Sequence, residues 1–191
     1  ASDVYKRQTL NFVLSERRIG DLSKGDVSQD CLKDRLFIPG IAHIVDPAFF
    51  LFKIFEGEDW IGNVYTAICK DMEDKNVLLI DNMPIKTEHP ILSGRKEDVD
   101  NFAKEFLEQI KSYAQREKFD YTVIAQDCSP RIRIKSALES ALSRMPEKIL
   151  LRKVADTLHF SEFGIETEFL QAFGKLEAKA EQWHEVSGYR Y

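Results

Sequence analysis

Residues 77–80 read VLLI, four consecutive apolar residues between polar neighbours. An unbroken apolar run of this kind is typical of a strand that is buried on both faces of a sheet. Two strand-like runs precede it, at residues 49–55 and 60–69, and only short polar stretches separate the three. Short connections between such runs indicate antiparallel neighbours. Residues 47–83 are therefore predicted to form a three-stranded meander whose last strand is central.

The segment 99–114, VDNFAKEFLEQIKSYA, carries its apolar residues at three- and four-residue spacing. This spacing places them on one stripe of a helix. The stripe consists of Val99, Phe102, Ala103, Phe106, Leu107, Ile110, Tyr113 and Ala114. Burial of one large apolar side chain contributes about 1.5–3 kcal/mol, so a helix over residues 96–118 is predicted to pack on the sheet.

Three further elements are predicted in the rest of the chain. Tyr121–Ala125 is apolar and β-branched and predicts a buried strand. Ser129 followed by Pro130 is a helix-start signal, and residues 148–154 indicate one more strand. An amphipathic helix is predicted over residues 167–183. The fold class is therefore α/β, with a mixed sheet in which the meander is followed by β-α-β-α.

Composition and charge restrict the class of protein. The chain has 191 residues, 43% of them apolar and 31% charged, and a net charge of -5. These values are typical of a globular protein and argue against nucleic acid as a partner. No apolar run is long enough to span a bilayer, and no signal peptide or metal-ligand spacing is found. Three scattered cysteines fit reduced thiols, so a cytoplasmic location with no membrane partner is expected.

The first eight residues, ASDVYKRQ, resemble a translated adapter from sequencing libraries, which is typical of metagenomic reads. Residues 1–8 are therefore expected to be non-native and to contribute nothing to stability. Residues 9–14 have the pattern of a short strand. Residues 9–191 are predicted to form a single domain whose core spans about 47–155.

The loop before the long helix contains Ser93, Gly94, Arg95 and Lys96. A helix start carries free N–H groups and partial positive charge, and is therefore a natural anion site. One interpretation is a phosphate or pyrophosphate pocket; the other is an ordinary helix start with solvated charges. The alternating segment 131–135 is open to the same two interpretations.

The order of elements over about residues 47–155 resembles the GNAT-type N-acetyltransferase fold. The resemblance implies that a central strand pairs with the pantetheine arm of acetyl-CoA, here at Leu79, Ile80 and Asp81. It also implies that the loop at Ser93, Gly94, Arg95 and Lys96 holds the pyrophosphate. The family loop normally reads Arg or Gln, two residues, Gly, one residue, and Gly or Ala, directly after the strand. In this chain residues 81–92 intervene, and the loop has one glycine.

This resemblance implies an acyl-CoA-dependent N-acyltransferase that moves an acetyl group to a small-molecule or peptide amine by direct attack. Asp81 or Glu88 is the candidate general base, and Tyr121 is the candidate proton donor to the leaving thiolate. The first alternative is a non-catalytic GNAT-like interaction module of a larger protein. A second alternative is a hydrolase or transferase that uses Cys31, with His43 and Asp46 as its base and orienting acid.

Overall fold

The computed structural model describes residues 9–14, 49–86, 88–129, 131–153 and 183–191. The described strands are β1 (Leu10–Leu14), β2 (Phe49–Glu56), β3 (Asp59–Lys70), β4 (Asn76–Asn82), β5 (Tyr121–Ala125), β6 (Glu147–Lys153) and β7 (His184–Arg190). The described helices are α1 (Lys96–Arg116) and α2 (Ile132–Leu142), with a 3-10 turn at Pro90–Ser93 before α1. These strands form one mixed sheet in the order β1-β2-β3-β4-β5-β7-β6.

The predicted meander is confirmed. β2 pairs antiparallel with β3, and β3 pairs antiparallel with β4. A two-residue turn joins β2 to β3, and Gly57 adopts a φ of 60° there, a conformation that glycine tolerates without steric cost. β4 lies between β3 and the parallel strand β5, and Val77, Leu78 and Ile80 are fully buried. The apolar run therefore marks a central strand, as its pattern predicts.

The predicted helix is also confirmed, ending two residues earlier than the pattern indicates. Every residue of the predicted stripe is buried except Tyr113, which is half-buried. The ring of Tyr113 meets that of Phe52 edge-on, with centroids 4.7 Å apart. The stripe joins the apolar side of α2 and residues of the sheet in one core. Packing on the sheet is thus what holds α1 in place.

One strand was not predicted. β7 pairs antiparallel with both β5 and β6, and so completes the sheet between them. The end of β6 also pairs with the end of β3, through Cys69 with Lys153 and Lys70 with Arg152. The sheet therefore curls, and a second apolar cluster forms from Ala67, Cys69, Val77, Val123, Ile149 and Leu151. This curl forms the wall of a pocket.

The predicted start of α2 is wrong by two residues. The helix begins at Ile132 with Arg131 as its N-cap, whereas the sequence signal places the cap at Ser129. The Ser129 hydroxyl accepts a hydrogen bond from the Arg131 N–H at 3.3 Å, so it closes a turn just before the helix. Neither described helix is long and apolar enough to cross a membrane.

Several predictions fall on parts of the chain outside the described residues. They concern the adapter-like segment 1–8, the candidates Cys31, His43 and Asp46, and the helix over 167–183, of which only Trp183 is described. Trp183 is not helical and directly precedes β7. These predictions remain untested.

Candidate functional site

The β4 strand changes its pairing at its carboxyl end. The ladder with β5 stops at Ile80. On the other side Ile80 lies opposite Thr66 and Asn82 lies opposite Tyr65, which leaves Asp81 as an extra residue in a bulge. A bulge bends its strand and re-aims the side chains, and bulges are over-represented next to active sites. Asp81 is accordingly exposed at the end of a strand that is otherwise buried.

After β4 the chain continues beside β3. The Asn63 N–H donates to the Pro84 carbonyl at 3.0 Å, and the Lys86 N–H donates to the Ile61 carbonyl at 2.8 Å. Gly62 lies between these bonds, and any Cβ on it would overlap the Pro84 carbonyl oxygen. Residues 83–86 can therefore run beside β3 only because residue 62 has no side chain.

The carboxyl ends of β4 and β5 are bridged by one hydrogen bond. The Met83 N–H donates to the Cys128 carbonyl at 2.7 Å. Leu79 and Ile80 have strand neighbours on both sides, β3 and β5. The first β4 position beyond the β5 ladder is therefore Asp81.

A cavity of about 240 Å³ opens near this end of β4. Its lining consists of Ala67, Cys69, Leu79, Asp81, Leu151, His184 and Val186. Most of these side chains are apolar, and Asp81 and His184 supply a carboxylate and an imidazole. Both residues are exposed to solvent. Apolar walls with a few polar groups are the usual composition of a small-molecule site.

The start of α1 has no side-chain cap. Arg95 is the N-cap residue and makes no capping hydrogen bond with its side chain. The Val99 N–H bonds to the Arg95 carbonyl, so the N–H groups of residues 96–98 lie ahead of the first intrahelical bond. The Arg133 guanidinium from α2 donates to the Gly94 carbonyl and brings a third cation to this place. An uncapped helix start beside three cations suits an anion.

The two predicted cations of this loop form ion pairs within their own helix. Arg95 lies 3.6 Å from the Asp98 carboxylate, and Lys96 lies 2.9 Å from Asp100. Their side chains are 76% and 88% exposed, so each pair contributes about 0–1 kcal/mol. Both cations can therefore turn toward a bound anion at little cost. Ser93 is exposed at the end of the 3-10 turn, and Gly94 follows it.

The basic segment 131–135 is solvated only in part. Ile134 points inward and is fully buried, as the alternating pattern predicts. Within the described part of the chain, the Arg131 Nε and Nη2 atoms are inaccessible to solvent and have no hydrogen-bond partner, and the same is true of Asn82 Oδ1. The interpretation of this segment as a uniformly solvated face is therefore wrong at Arg131.

Tyr121 lies at the opposite end of the β4–β5 pair, opposite Val77. Its hydroxyl donates to the Asp71 carboxylate at 2.7 Å. Burial and this hydrogen bond raise the pKa of Tyr121 well above its usual value. Val77 and Asp81 are four residues apart on one strand, roughly 13 Å at 3.3 Å per residue. The structure thus does not bring Tyr121 together with Asp81, and its role as proton donor stays a prediction.

Glu88 lies in the connection between β4 and the 3-10 turn and is exposed. Its neighbour His89 contacts Glu56 at the end of β2, with Nε2 3.5 Å from Oε1 and both side chains buried. Burial lowers the pKa of His89 despite the nearby Glu56 carboxylate. This contact draws the connection toward the β2–β3 turn. Glu88 is therefore absent from the cavity lining, and its role as a base also stays a prediction.

Cys128, near the site, is not poised as a nucleophile. Burial, with the nearby Asp81 and Asp127 carboxylates, raises the pKa of the Cys128 thiol to about 12. A thiol of this kind stays protonated at neutral pH, and the thiolate is the reactive form. Within the described part of the chain, no three His, Cys, Asp or Glu side chains are grouped so as to hold a metal.

Two functional candidates, His184 and Cys69, were missed in the sequence. His184 belongs to the unpredicted strand β7, and Cys69 has no flanking motif. Arg131 was considered only as part of a basic segment. The sequence gives a weak signal for His184, since residues 184–190 alternate only loosely. No local signal reports that part of the Arg131 guanidinium is buried.

No family model matches the chain, and neither does any curated protein. Among solved structures, the chain is similar to the ribosomal-protein-alanine N-acetyltransferase from Brucella melitensis biovar Abortus 2308. The likeness has a TM-score of 0.48 and 11% sequence identity, over 69% of this chain and 89% of that chain. At this level it says nothing about the reaction.

Proposed function

We propose that the protein is an acyl-CoA-dependent N-acyltransferase of the GNAT type, which transfers an acetyl group to an amine. One observation carries the proposal. The central strand β4 ends in a bulge between an antiparallel and a parallel neighbour, and the next helix begins uncapped among Arg95, Lys96 and Arg133. The element order is the one that the resemblance to GNAT proteins implies.

The residues present fit acetyl-CoA best at the start of α1. Free N–H groups of the first turn would hold the pyrophosphate, and Arg95, Lys96 and Arg133 would reinforce them. At β4 the fit is narrower, because strands flank Leu79 and Ile80 on both sides. A backbone contact to the pantetheine arm would therefore lie beyond the β5 ladder, at Asp81 or Asn82.

Acetyl-CoA supplies an acyl group that is activated as a thioester. The amine enters the cavity near β4, where the apolar walls exclude water from most of its surface. Asp81 would accept the proton that the amine nitrogen loses as the new C–N bond forms, and CoA would leave as its thiolate when the C–S bond breaks. His184, which lines the same cavity, orients the amine.

A thermal-shift titration with acetyl-CoA tests the proposal. Acetyl-CoA at a hundred times its Kd should add about 2.7 kcal/mol to the free energy of unfolding. Arg95→Ala combined with Lys96→Ala should weaken binding by roughly a hundredfold or more, because charge-assisted hydrogen bonds are lost. The matched control is Lys104→Ala with Lys111→Ala, two exposed cations further along α1, and it should leave the affinity unchanged. Equal affinity for acetyl-CoA in both double variants would show that this loop does not bind the pyrophosphate.

A second candidate function is the non-catalytic module. The hydrogen bond from Met83 to Cys128 favours it, since this bond closes the gap between the two strand ends. In that case acetyl-CoA should produce no shift in the parent protein at millimolar concentration. An acetyl-CoA-dependent shift together with acetyl transfer to an amine would exclude this candidate.

A further inference from the structure

The cavity at the end of β4 lies between two parts of the curled sheet. One wall belongs to the β3–β4 ladder, in which Ala67 lies opposite Leu79. The other wall belongs to the β6–β7 ladder, in which Leu151 lies opposite His184. This second wall extends past β5, because the β5–β7 ladder ends at Gly188. Strand pairs that are distant in sequence therefore line the cavity together.

The lining of the cavity combines an apolar part with a polar part. Ala67, Cys69 and Leu151 are at most 2% exposed. Asp81 and His184, by contrast, are exposed to solvent. Among the described lining residues Asp81 is the only carboxylate, and none of them is a lysine or an arginine. A ligand would therefore contact apolar side chains in the shielded part of the cavity and a negative charge in the exposed part.

A ligand that suits this lining has an apolar chain and one cationic group. Burial of the chain removes apolar surface from water, which is favourable. A carboxylate accepts hydrogen bonds from an ammonium group and attracts its charge, whereas it repels a carboxylate or a phosphate. A second charge at the far end of the chain would be buried among apolar side chains, at a high cost in desolvation.

The volume of the cavity limits the length of the chain. A dry apolar cavity of roughly 150 Å³ holds benzene. At about 240 Å³, this cavity has room for roughly ten non-hydrogen atoms by the same proportion. Octylamine is of about this size, whereas decylamine exceeds it.

We propose that the acceptor of the acyl group is a small monoamine with an apolar chain. Its ammonium group binds at Asp81, and its chain lies against Leu79, Leu151 and Val186. This inference rests on the proposed function, of which it names the acceptor class.

A longer acyl chain on the donor would suit the cavity less well than an apolar amine does. Such a chain has no cation for Asp81, and the thioester oxygen is a hydrogen-bond acceptor, as the Asp81 carboxylate is. The presence of a carboxylate in an otherwise apolar lining therefore favours the amine as the occupant.

The test is isothermal titration calorimetry with linear amines from propylamine to decylamine. The Kd should fall by about fourfold with each added methylene up to octylamine, and decylamine should bind no more tightly than octylamine. Octanoate should bind roughly tenfold more weakly than octylamine or worse, because Asp81 repels it. Octamethylenediamine should also bind roughly tenfold more weakly than octylamine, because its second charge must be buried.

Two variants test the two parts of the cavity. Asp81→Asn should weaken octylamine binding by roughly tenfold. Its matched control is Asp127→Asn, an exposed carboxylate outside the lining, which should bind octylamine like the parent. Ala67→Val narrows the shielded part and should reduce the affinity for octylamine but not for propylamine. If this variant does not fold, Val186→Leu, at a half-buried position on the other wall, makes the same test.

The inference is overturned by a lack of binding of any amine, equal binding of octylamine and octanoate, a Kd that is independent of chain length, or an unchanged Kd in Asp81→Asn. Tighter binding of octanoyl-CoA than of acetyl-CoA, lost in Ala67→Val, would assign the cavity to the acyl chain and overturn it too. Acetyl-CoA is titrated separately. If acetyl-CoA binds and hydrophilic amines are acetylated but octylamine is not, the proposed function stands and this inference fails. If octylamine binds as expected and acetyl-CoA does not bind, the ligand class of the cavity stands and the acyltransferase proposal fails.

Discussion

The two ends of the parallel β4–β5 pair differ in how their polar groups are satisfied. At the amino end Asp71 accepts hydrogen bonds from the Tyr121 hydroxyl and from the N–H groups of Glu73 and Lys75, at 2.7–2.9 Å. The guanidinium of Arg190 lies over the Tyr121 ring at 4.7 Å. The described polar groups here satisfy one another, and this end holds the sheet together.

At the carboxyl end the described polar groups do not all satisfy one another. Asp81 is exposed in a bulge, Asn82 and Arg131 keep unsatisfied atoms, and α1 begins without a side-chain cap. Such groups lower stability unless something binds them. The comparison teaches that the same strand pair has one end that serves stability and one end that is suited to a ligand.

The largest expected effect concerns the backbone path that keeps the carboxyl end in place. Gly62→Ala forces a Cβ against the Pro84 carbonyl and should destabilise the protein by about 2–4 kcal/mol in a urea titration. Gly94→Ala is the control, because its Cβ would meet the Pro90 carbonyl oxygen at 3.3 Å. If Gly62→Ala unfolds with the parent midpoint, residues 83–86 do not run against β3.

The next effect tests the amino end. Asp71→Ala removes a buried carboxylate that accepts three hydrogen bonds, and should cost about 1–3 kcal/mol of unfolding free energy. Glu73→Ala is the matched control, since its ion pair with Lys75 is exposed, and the change should be about 0.5 kcal/mol or less. An equal loss of unfolding free energy in both variants would contradict a stabilising role for the hydrogen bonds to Asp71.

A pH dependence of stability follows from the same carboxylate. Burial raises the pKa of Asp71, but hydrogen bonds from Tyr121, Lys75 and Glu73 outweigh it and lower the pKa below its ordinary 3.8. Stability from Asp71 is therefore present above about pH 4 and lost as the pH falls through the depressed value. Asp71→Asn should have a smaller fall in Tm between pH 5 and pH 2 than the parent (on the order of a few degrees). Parallel curves of Tm against pH for the variant and the parent would show that Asp71 makes no such contribution to stability.

The smallest expected effect lies at the carboxyl end again. Asn82→Ala removes a carbonyl oxygen that has no partner, so the unfolding free energy should change by about 0.5 kcal/mol or less, or rise. The variant is compared with Asp71→Ala under the same conditions. A loss as large as that of Asp71→Ala would show that Asn82 has a structural partner and that the two ends do not differ.

Much of the fold could be predicted because the apolar pattern within a single element is enough to identify that element. The VLLI run of β4 and the stripe of α1 each bury a dense apolar set with a clear period, and both are confirmed. Residues 184–190 have no such set, and β7 exists because β5 and β6 offer ladders on both sides. The path after β4 depends on contact with Gly62, which is distant in sequence.

The candidate site could be predicted only in part. Residues 93–96 follow from the helix start, which periodicity locates, and Asp81 follows from the resemblance to GNAT proteins. His184 and Arg131 depend on how distant segments approach one another. Whether one edge of the Arg131 guanidinium is buried depends on tertiary packing. The alternating basic and apolar pattern of residues 131–135 is the same in either case.

The most direct test of the central claim is amide hydrogen exchange with and without acetyl-CoA. We expect slower exchange at residues 81–83 and 94–98 when acetyl-CoA is present, and unchanged exchange at residues 71–76 and 120–123. Ligand binding protects amides that it orders or bonds, so the location of protection identifies the end that binds. Protection confined to the amino end, or none at any residue at saturating acetyl-CoA, would contradict the claim that the carboxyl end is the ligand site.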